Sequence, residues 1–276
     1  MDFRALLALA FLAACSGERS TLPPASNSTK PARIISLDFC ADQYVLKLAD
    51  RENILALSPE ATMPHSYLRD EAEGMPSVRP FAEDALALQP DLIVRSYGGG
   101  PDAERFFARA GIPVLNIGWA GEVGAIKTVT QTVSAGLGEP ERGQALVANI
   151  DARLAAIRKH PNAPEILYMT PTGITAGQNT FVGNLINEAG LTNFETRPGW
   201  HALPLERLAS EQPDLVGASF FDSANLSHNI WSAARHPIAR AQIDTKPAIE
   251  LPGAWTACGA WFALDAIEAL ADTPTQ

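Results

Sequence analysis

Two stretches of this chain repeat one another at a constant offset of 123 residues. The first is Phe81-Ala-Glu-Asp-Ala-Leu-Ala-Leu-Gln-Pro-Asp-Leu-Ile-Val94; the second is Pro204-Leu-Glu-Arg-Leu-Ala-Ser-Glu-Gln-Pro-Asp-Leu-Val-Gly217. Glu83 matches Glu206, Gln89 matches Gln212, and Pro90-Asp91-Leu92 matches Pro213-Asp214-Leu215. Each copy reads as a short helix, a proline–aspartate turn and an apolar strand. A single Pro-Asp-Leu recurs easily by chance, but a helix–turn–strand phrase in constant register points to a duplicated α/β lobe.

Between the copies, Gly138 to Pro161 reads as one helix. Pro140 suits a first turn, where its missing N–H costs nothing. Glu139 and Glu141 favour the positive end of the helix dipole, and Arg158 and Lys159 the negative end. The pair His160-Pro161 stops it. Val147, Ile150, Leu154 and Ile157 recur at spacings of three and four, so one face is apolar. Roughly twenty residues at 1.5 Å each make a rod of about 30 Å, the diameter of a domain. The rod is read as a strut between two lobes.

Elsewhere, strands alternate with helices. Expected strands include Arg33–Leu37, Asn53–Ser58, Asp91–Ser96, Gly111–Ile117, Glu165–Thr170, Asp214–Phe220 and Pro247–Leu251. Such alternation argues parallel sheets in both lobes. The fold class is therefore α/β: two βα lobes with parallel central sheets, joined by a single long backbone helix, with a ligand cleft between them. The boundaries expected are 32–138 for the first lobe, 139–160 for the helix and 161–276 for the second lobe.

Ala5 to Ala14 is an apolar core too short to span a bilayer, and it leads to Cys15. Leu12-Ala13-Ala14-Cys15 resembles the bacterial lipobox, which makes 1–15 a signal peptide and Cys15 a lipidation site; a plain secretory signal is the other reading. Residues 16–31, rich in Ser, Thr, Pro and Asn, suit a flexible tether. On either reading the chain is exported; on the lipobox reading its only membrane contact is through the lipid anchor. A formal net charge of −10 argues against a nucleic-acid partner.

At this point the chain resembles a family, the class III periplasmic binding proteins. These are the solute receptors of ABC importers for vitamin B12, iron–siderophore complexes and haem. The phrases that carry the resemblance are Arg33-Ile-Ile-Ser-Leu37 before a helix, Pro90-Asp91-Leu92-Ile93-Val94, its repeat in the second lobe, and Gly111-Ile112-Pro113-Val114. It covers about residues 32 to 271. It implies a periplasmic receptor that holds a small metal chelate (cobalamin, iron–siderophore or haem-like) between lobes that move little. The partner implied is an ABC permease dimer in the inner membrane. In such receptors one glutamate on each lobe's rim docks on permease arginines, which points to Glu83 and Glu206. No resident cofactor, no metal ion of its own and no enzymatic turnover are implied. Cys40 and Cys258 are a departure, not expected together in the B12 or ferrichrome receptors.

In open α/β sheets, ligands bind beyond the carboxyl ends of the strands. That rule selects Asp38, Phe39 and Cys40; Tyr97 to Gly100; Trp119; Thr170 to Gly173, with Thr172; Phe221 and Asp222; and Trp255 to Cys258. The loop with Met63, His65 and Tyr67, and the Trp200-His201 turn, are expected to face the same cleft. Aromatic side chains there suit a flat or greasy ligand. His65 and His201 are candidate metal or haem ligands, or simply exposed loop histidines. Gly98-Gly99-Gly100 before a helix is a plain turn or an anion cradle. Cys40 and Cys258 are read at helix starts; they form a disulfide, touch a ligand as thiols, or lie inert. The competing reading is an exported metal-binding chaperone or a cysteine-dependent enzyme using both cysteines. No G-x-S-x-G, H-E-x-x-H or P-loop motif is present.

Overall fold

The computed structural model of the chain describes residues 30–160, 162–219 and 232–274. Cys15, its signal segment, most of the tether, and the Phe221-Asp222 strand end lie outside them.

The first lobe carries β1 (Ile34–Ser36), β2 (Ile54–Ala56), β3 (Leu92–Arg95) and β4 (Val114–Asn116), all parallel in the order β2-β1-β3-β4. Its helices are α1 (Phe39–Leu48), the single turn α2 (Arg69–Ala72), α3 (Ala82–Ala87), α4 (Ala103–Arg109) and α5 (Val123–Gly136). The connecting helix is α6 (Pro140–Ala156). The second lobe carries β5 (Glu165–Met169), β6 (Ile174–Ala176), α7 (Phe181–Glu188), β7 (Thr192–Asn193), β8 (Trp200–Ala202), α8 (Leu205–Leu208), β9 (Leu215–Ser219), α9 (Pro237–Thr245), β10 (Ala248–Leu251), α10 (Gly253–Thr256) and α11 (Ala263–Ala271). Its parallel sheet runs β7-β5-β9-β10, the order of the first lobe with β5 in the place of β1.

The repeated Pro-Asp-Leu has a mechanical cause. The Asp91 carboxylate accepts the backbone N–H groups of Ala32 and Arg33 at 2.9 and 3.0 Å, just ahead of β1. Asp214 accepts the N–H of Glu165, at the start of β5, at 2.8 Å. Each aspartate returns its own N–H to the same stretch, Asp91 to Arg33 and Asp214 to Glu165. The motif thus staples the entry of the central strand pair in each lobe, and the leucine that follows begins the partner strand.

The two lobes do not have separate interiors. Ile34, Tyr44 and Val94 of the first lobe share one apolar cluster with Ile166, Tyr168, Trp261 and Phe262 of the second. Outer clusters cover the far face of each sheet, around Ile93 and Phe107 in one and Leu167 and Phe194 in the other. Helix α6 lies along α5 and reaches α11. Gly143 makes the close approach: a Cβ there would sit 1.9 Å from Ser134 Oγ. The buried stripe is Gly143, Leu146 and Ile150, with Val147 and Leu154 half-buried beside it. Arg153 then pairs with Asp265 and Glu268 on α11, at 2.6 Å in each case.

Three expectations are corrected. The rod ends at Ala156, with Ile157 already extended, rather than running to His160. The last helix, α11, starts only at Ala263; Cys258, read at a helix start, lies in the bend between the one-turn α10 and α11 and is not at one. Residues 171–177, which the expected strands leave as a connection, contain β6, which pairs antiparallel with β8 in a small ribbon beside the parallel sheet. A three-residue pairing is too short for periodicity to register.

Candidate functional site

Ser36 ends β1, and Asp38 caps α1 by accepting the Ala41 N–H at 3.0 Å. The same buried carboxylate reaches across to the turn after β3, where it accepts the N–H groups of Ser96, Tyr97 and Gly98 at 2.7, 3.0 and 3.0 Å, and the Ser96 hydroxyl at 2.7 Å. Gly98 must be glycine, because a Cβ there would stand 2.1 Å from the Leu37 carbonyl oxygen. The three-glycine run is therefore a turn bound to the protein's own carboxylate rather than a free anion cradle. One residue type at one position locks the two central strand ends of the first lobe together.

A neighbouring carboxylate supports the next loop. Asp42 is buried and accepts the Ser58 N–H at 3.0 Å and its hydroxyl at 2.6 Å. Burial pushes its pKa up to about 7. Gln43 donates to the Ser66 hydroxyl and accepts from the Leu68 N–H, both at 2.7 Å. These bonds fix the loop that carries Met63, His65 and Tyr67.

The strand ends then open onto a cavity of about 580 Å³ between the lobes. Phe39, Tyr97 and Trp119 line it from the first lobe, with Tyr44 and Val129 behind them. Ala257, Cys258 and Gly259 close it from the second lobe. Phe39 stands edge-on between His65, 4.8 Å away by ring centroid, and Tyr97, 6.2 Å away. The Tyr97 hydroxyl donates to Glu60 at 3.0 Å, and its ring is half exposed. Trp119 is 70 % exposed, and its edge faces Phe181 at the start of α7 across the divide. An aromatic with that much free surface at a strand end is not sealing a core.

Cys40 and Cys258 are joined in a disulfide, with Cα atoms 5.8 Å apart, and both line the cavity. The disulfide crosses from one lobe to the other. Neither sulfur is a thiolate, so the cysteine-dependent enzyme and the thiol-based chaperone lose their reactive group. Among the described residues no group of three or more His, Cys, Asp or Glu side chains is placed to hold a metal ion.

The remaining expected residues divide. Thr172 is exposed at the turn after β5, its hydroxyl 2.9 Å from that of Thr170. Trp200 is half exposed and meets Tyr168 edge-on at 6.1 Å. His201, its neighbour on β8, turns to the other side, as alternate residues of a strand do. There it faces a second, polar depression of about 680 Å³ that also contains Glu206. Its Nε2 sits 3.0 Å from the Pro198 carbonyl. Tyr67 faces away from the cavity, stacked on Phe262 at 4.5 Å and donating to Asp265 at 2.7 Å. It ties its loop to α11, and burial together with Asp265 pushes its phenol up to about 12. Trp255 is half-buried against the shared core. Glu83 and Glu206 are both exposed, and neither has an ion-pair partner among the described residues, whereas Asp84 pairs with Arg79 and Arg207 with Glu211. Tyr44, Asn116 and Glu60 were not singled out from sequence. Asn116 ends β4, so the strand-end rule covers it; nothing local marks the other two.

The model of the periplasmic binding protein family matches residues 34–221, which is more than half of the chain. The chain belongs to that family. Its members are binding proteins. A cobalamin-binding protein of Halobacterium salinarum is 28% identical over 211 residues, 71% of this chain and 57% of that relative's length. This chain thus spans little more than half of it. Among solved structures, the apo form of the periplasmic heme-binding protein RhuT from Roseiflexus sp. RS-1 superposes with a TM-score of 0.68 at 24% identity, over 87% of this chain and 95% of that one. The periplasmic heme-binding protein HutB of Vibrio cholerae gives 0.71 at 19% identity, over 87% and 97%. At these identities the two structures bear on the fold, and they bear out the two-lobed architecture.

Proposed function

We propose that this protein is the exported receptor of an ABC import system. It captures a small metal chelate (cobalamin, iron–siderophore or haem-like) between its lobes and delivers it to a permease dimer in the inner membrane, without chemical turnover. The observation that carries this is the cavity beyond the strand ends, walled by Phe39, Tyr97 and Trp119 and closed by the Cys40–Cys258 disulfide. Such a volume, apolar and aromatic with few polar groups, suits a broad, rigid ligand. The cobalamin-binding relative and the heme-binding neighbours support the chelate class. Phe39, Tyr97 and Trp119 contact the ligand, His65 backs Phe39, and Thr172 and Trp200, outside that lining, are the second lobe's candidates. Glu83 and Glu206 are exposed carboxylates without an ion-pair partner among the described residues, at equivalent places in the two repeats, which suits a twofold permease.

The test is retention. The purified protein is incubated with cyanocobalamin, haemin or a ferric hydroxamate and passed through a desalting column, and the visible absorbance that co-elutes is measured. A stoichiometric, chemically unchanged chelate is expected. Retention of none, or release of an altered product, contradicts the reading.

A further inference from the structure

The cavity has a charge character that separates the chelates it could take. The described residues that line it carry no charge of either sign, so no lysine or arginine stands ready to pair with an anion. Arg95, one position before Ser96, is buried outside that lining; it donates one N–H to the Gly100 carbonyl at 3.0 Å, and its Nε has no partner among the described residues. The sequence from 220 to 231, outside the described residues, holds neither lysine nor arginine.

In the first lobe the backbone offers no substitute among the described residues. In an open α/β lobe, the natural anion site is the turn between a strand end and a helix start, where several N–H groups converge. Here that turn is already occupied. Asp38 accepts from Ala41 at the start of α1 and from Ser96, Tyr97 and Gly98. The N–H groups that elsewhere would greet a phosphate or carboxylate are committed to an internal one.

The charges just behind that lining are acids: Glu60 holds the Tyr97 hydroxyl at the rim, and the Asp38 carboxylate lies beneath. Burial, followed by the Glu60 charge, pushes the Tyr97 phenol well above its usual value, with Asp38 and Asp42 adding to it. The chain as a whole carries −10.

We infer that the cleft selects by charge, accepting an uncharged or cationic aromatic-sized complex and turning away polyanionic chelates. This rests on the cleft reading above and narrows it. A like charge brought into a partly desolvated site with nothing to pair with it is a strong discriminator.

Four probes test this on the purified protein by quenching of tryptophan fluorescence: cyanocobalamin, which is uncharged; a ferric trihydroxamate bearing a pendant ammonium; haemin, with its two propionates; and a ferric tris-catecholate, which is polyanionic. At low salt, the better of the first two is expected to bind at least about tenfold more tightly than either anion. The gap should narrow as added salt screens the acids. Glu60→Gln, which keeps an acceptor for the Tyr97 hydroxyl, should raise the affinity for an anionic probe about threefold or more relative to that for cyanocobalamin, a change of ratio that lost packing does not produce. An anionic probe that binds as tightly as the others at low salt overturns the inference. Binding of some probe that is unmoved by Trp119→Ala, or of no probe at all, fails the cleft reading instead.

Discussion

The sulfurs of Cys40 and Cys258 join the first turn of α1 to the bend before α11, so the two lobes are covalently closed beside the cavity. The same seam is held by other contacts. Tyr67 bonds Asp265, Asn184 donates to the Gly121 carbonyl, and the Gly259 carbonyl faces the Tyr44 hydroxyl. A receptor built this way meets its ligand with lobes already set, so less of the binding energy goes into ordering them.

Reducing that bond should destabilise the fold. The closed loop is long, and removing a native disulfide of this sort typically costs about 2–4 kcal/mol. Urea unfolding of wild type with and without reductant, beside the double variant Cys40→Ala/Cys258→Ala, checks it. The reduced protein and the variant should unfold at similar, lower midpoints. Equal midpoints for oxidised and reduced wild type would mean the bond holds nothing.

Stability should depend on pH through Asp42. Its pKa is pushed up to about 7, above the ordinary 3.8. Between these values the folded state keeps a proton that the unfolded chain has lost, so this group makes stability fall as pH rises from about 4 to about 7. Asn can keep an acceptor for the Ser58 N–H and carries no charge. Melting temperatures of wild type and Asp42→Asn, measured from pH 4 to 8, should therefore diverge, with wild type losing ground toward neutral pH. A constant difference would show that Asp42 titrates normally.

Glu83 and Glu206 should matter for delivery alone. Among the described residues neither has an ion-pair partner, and Glu206 lines the polar depression beside His201. Glu83→Ala with Glu206→Ala should leave chelate binding unchanged and abolish uptake into cells, because charge pairs across a docking surface set register and on-rate. Wild-type uptake by the double variant, or loss of binding, would reduce them to helix-start acids.

Cys15 is expected to carry lipid. In cells, Cys15→Ser should block processing at Leu12-Ala13-Ala14-Cys15 and change membrane fractionation. Unchanged processing and membrane association in the variant would remove the anchor.

The lobes were legible in sequence because the repeat has a local cause. Asp91 and Asp214 must each sit where they can staple a strand entry, so their spacing to the helix before and the strand after survives in both halves. The strand-end rule likewise found Phe39, Tyr97 and Trp119, since it depends only on strand direction. What stayed hidden depends on partners remote in the chain. The pairing of Cys40 with Cys258 spans 218 residues, and no spacing encodes it. The inward turn of Tyr67 is decided by Phe262 and Asp265. The separation of Trp200 from His201 follows from β8 being a strand, and β8 exists only because β6 lies beside it.

The central claim is that the inter-lobe cavity is where ligand sits, and Trp119 tests it most directly. The affinity of the most tightly retained chelate is measured by titration calorimetry for wild type and Trp119→Ala, both shown to be folded by circular dichroism. Loss of this exposed, cleft-facing ring should weaken binding by about 1–3 kcal/mol, as for an aromatic anchor at a recognition site. Unchanged affinity in a folded Trp119→Ala variant would contradict the account and place the ligand elsewhere.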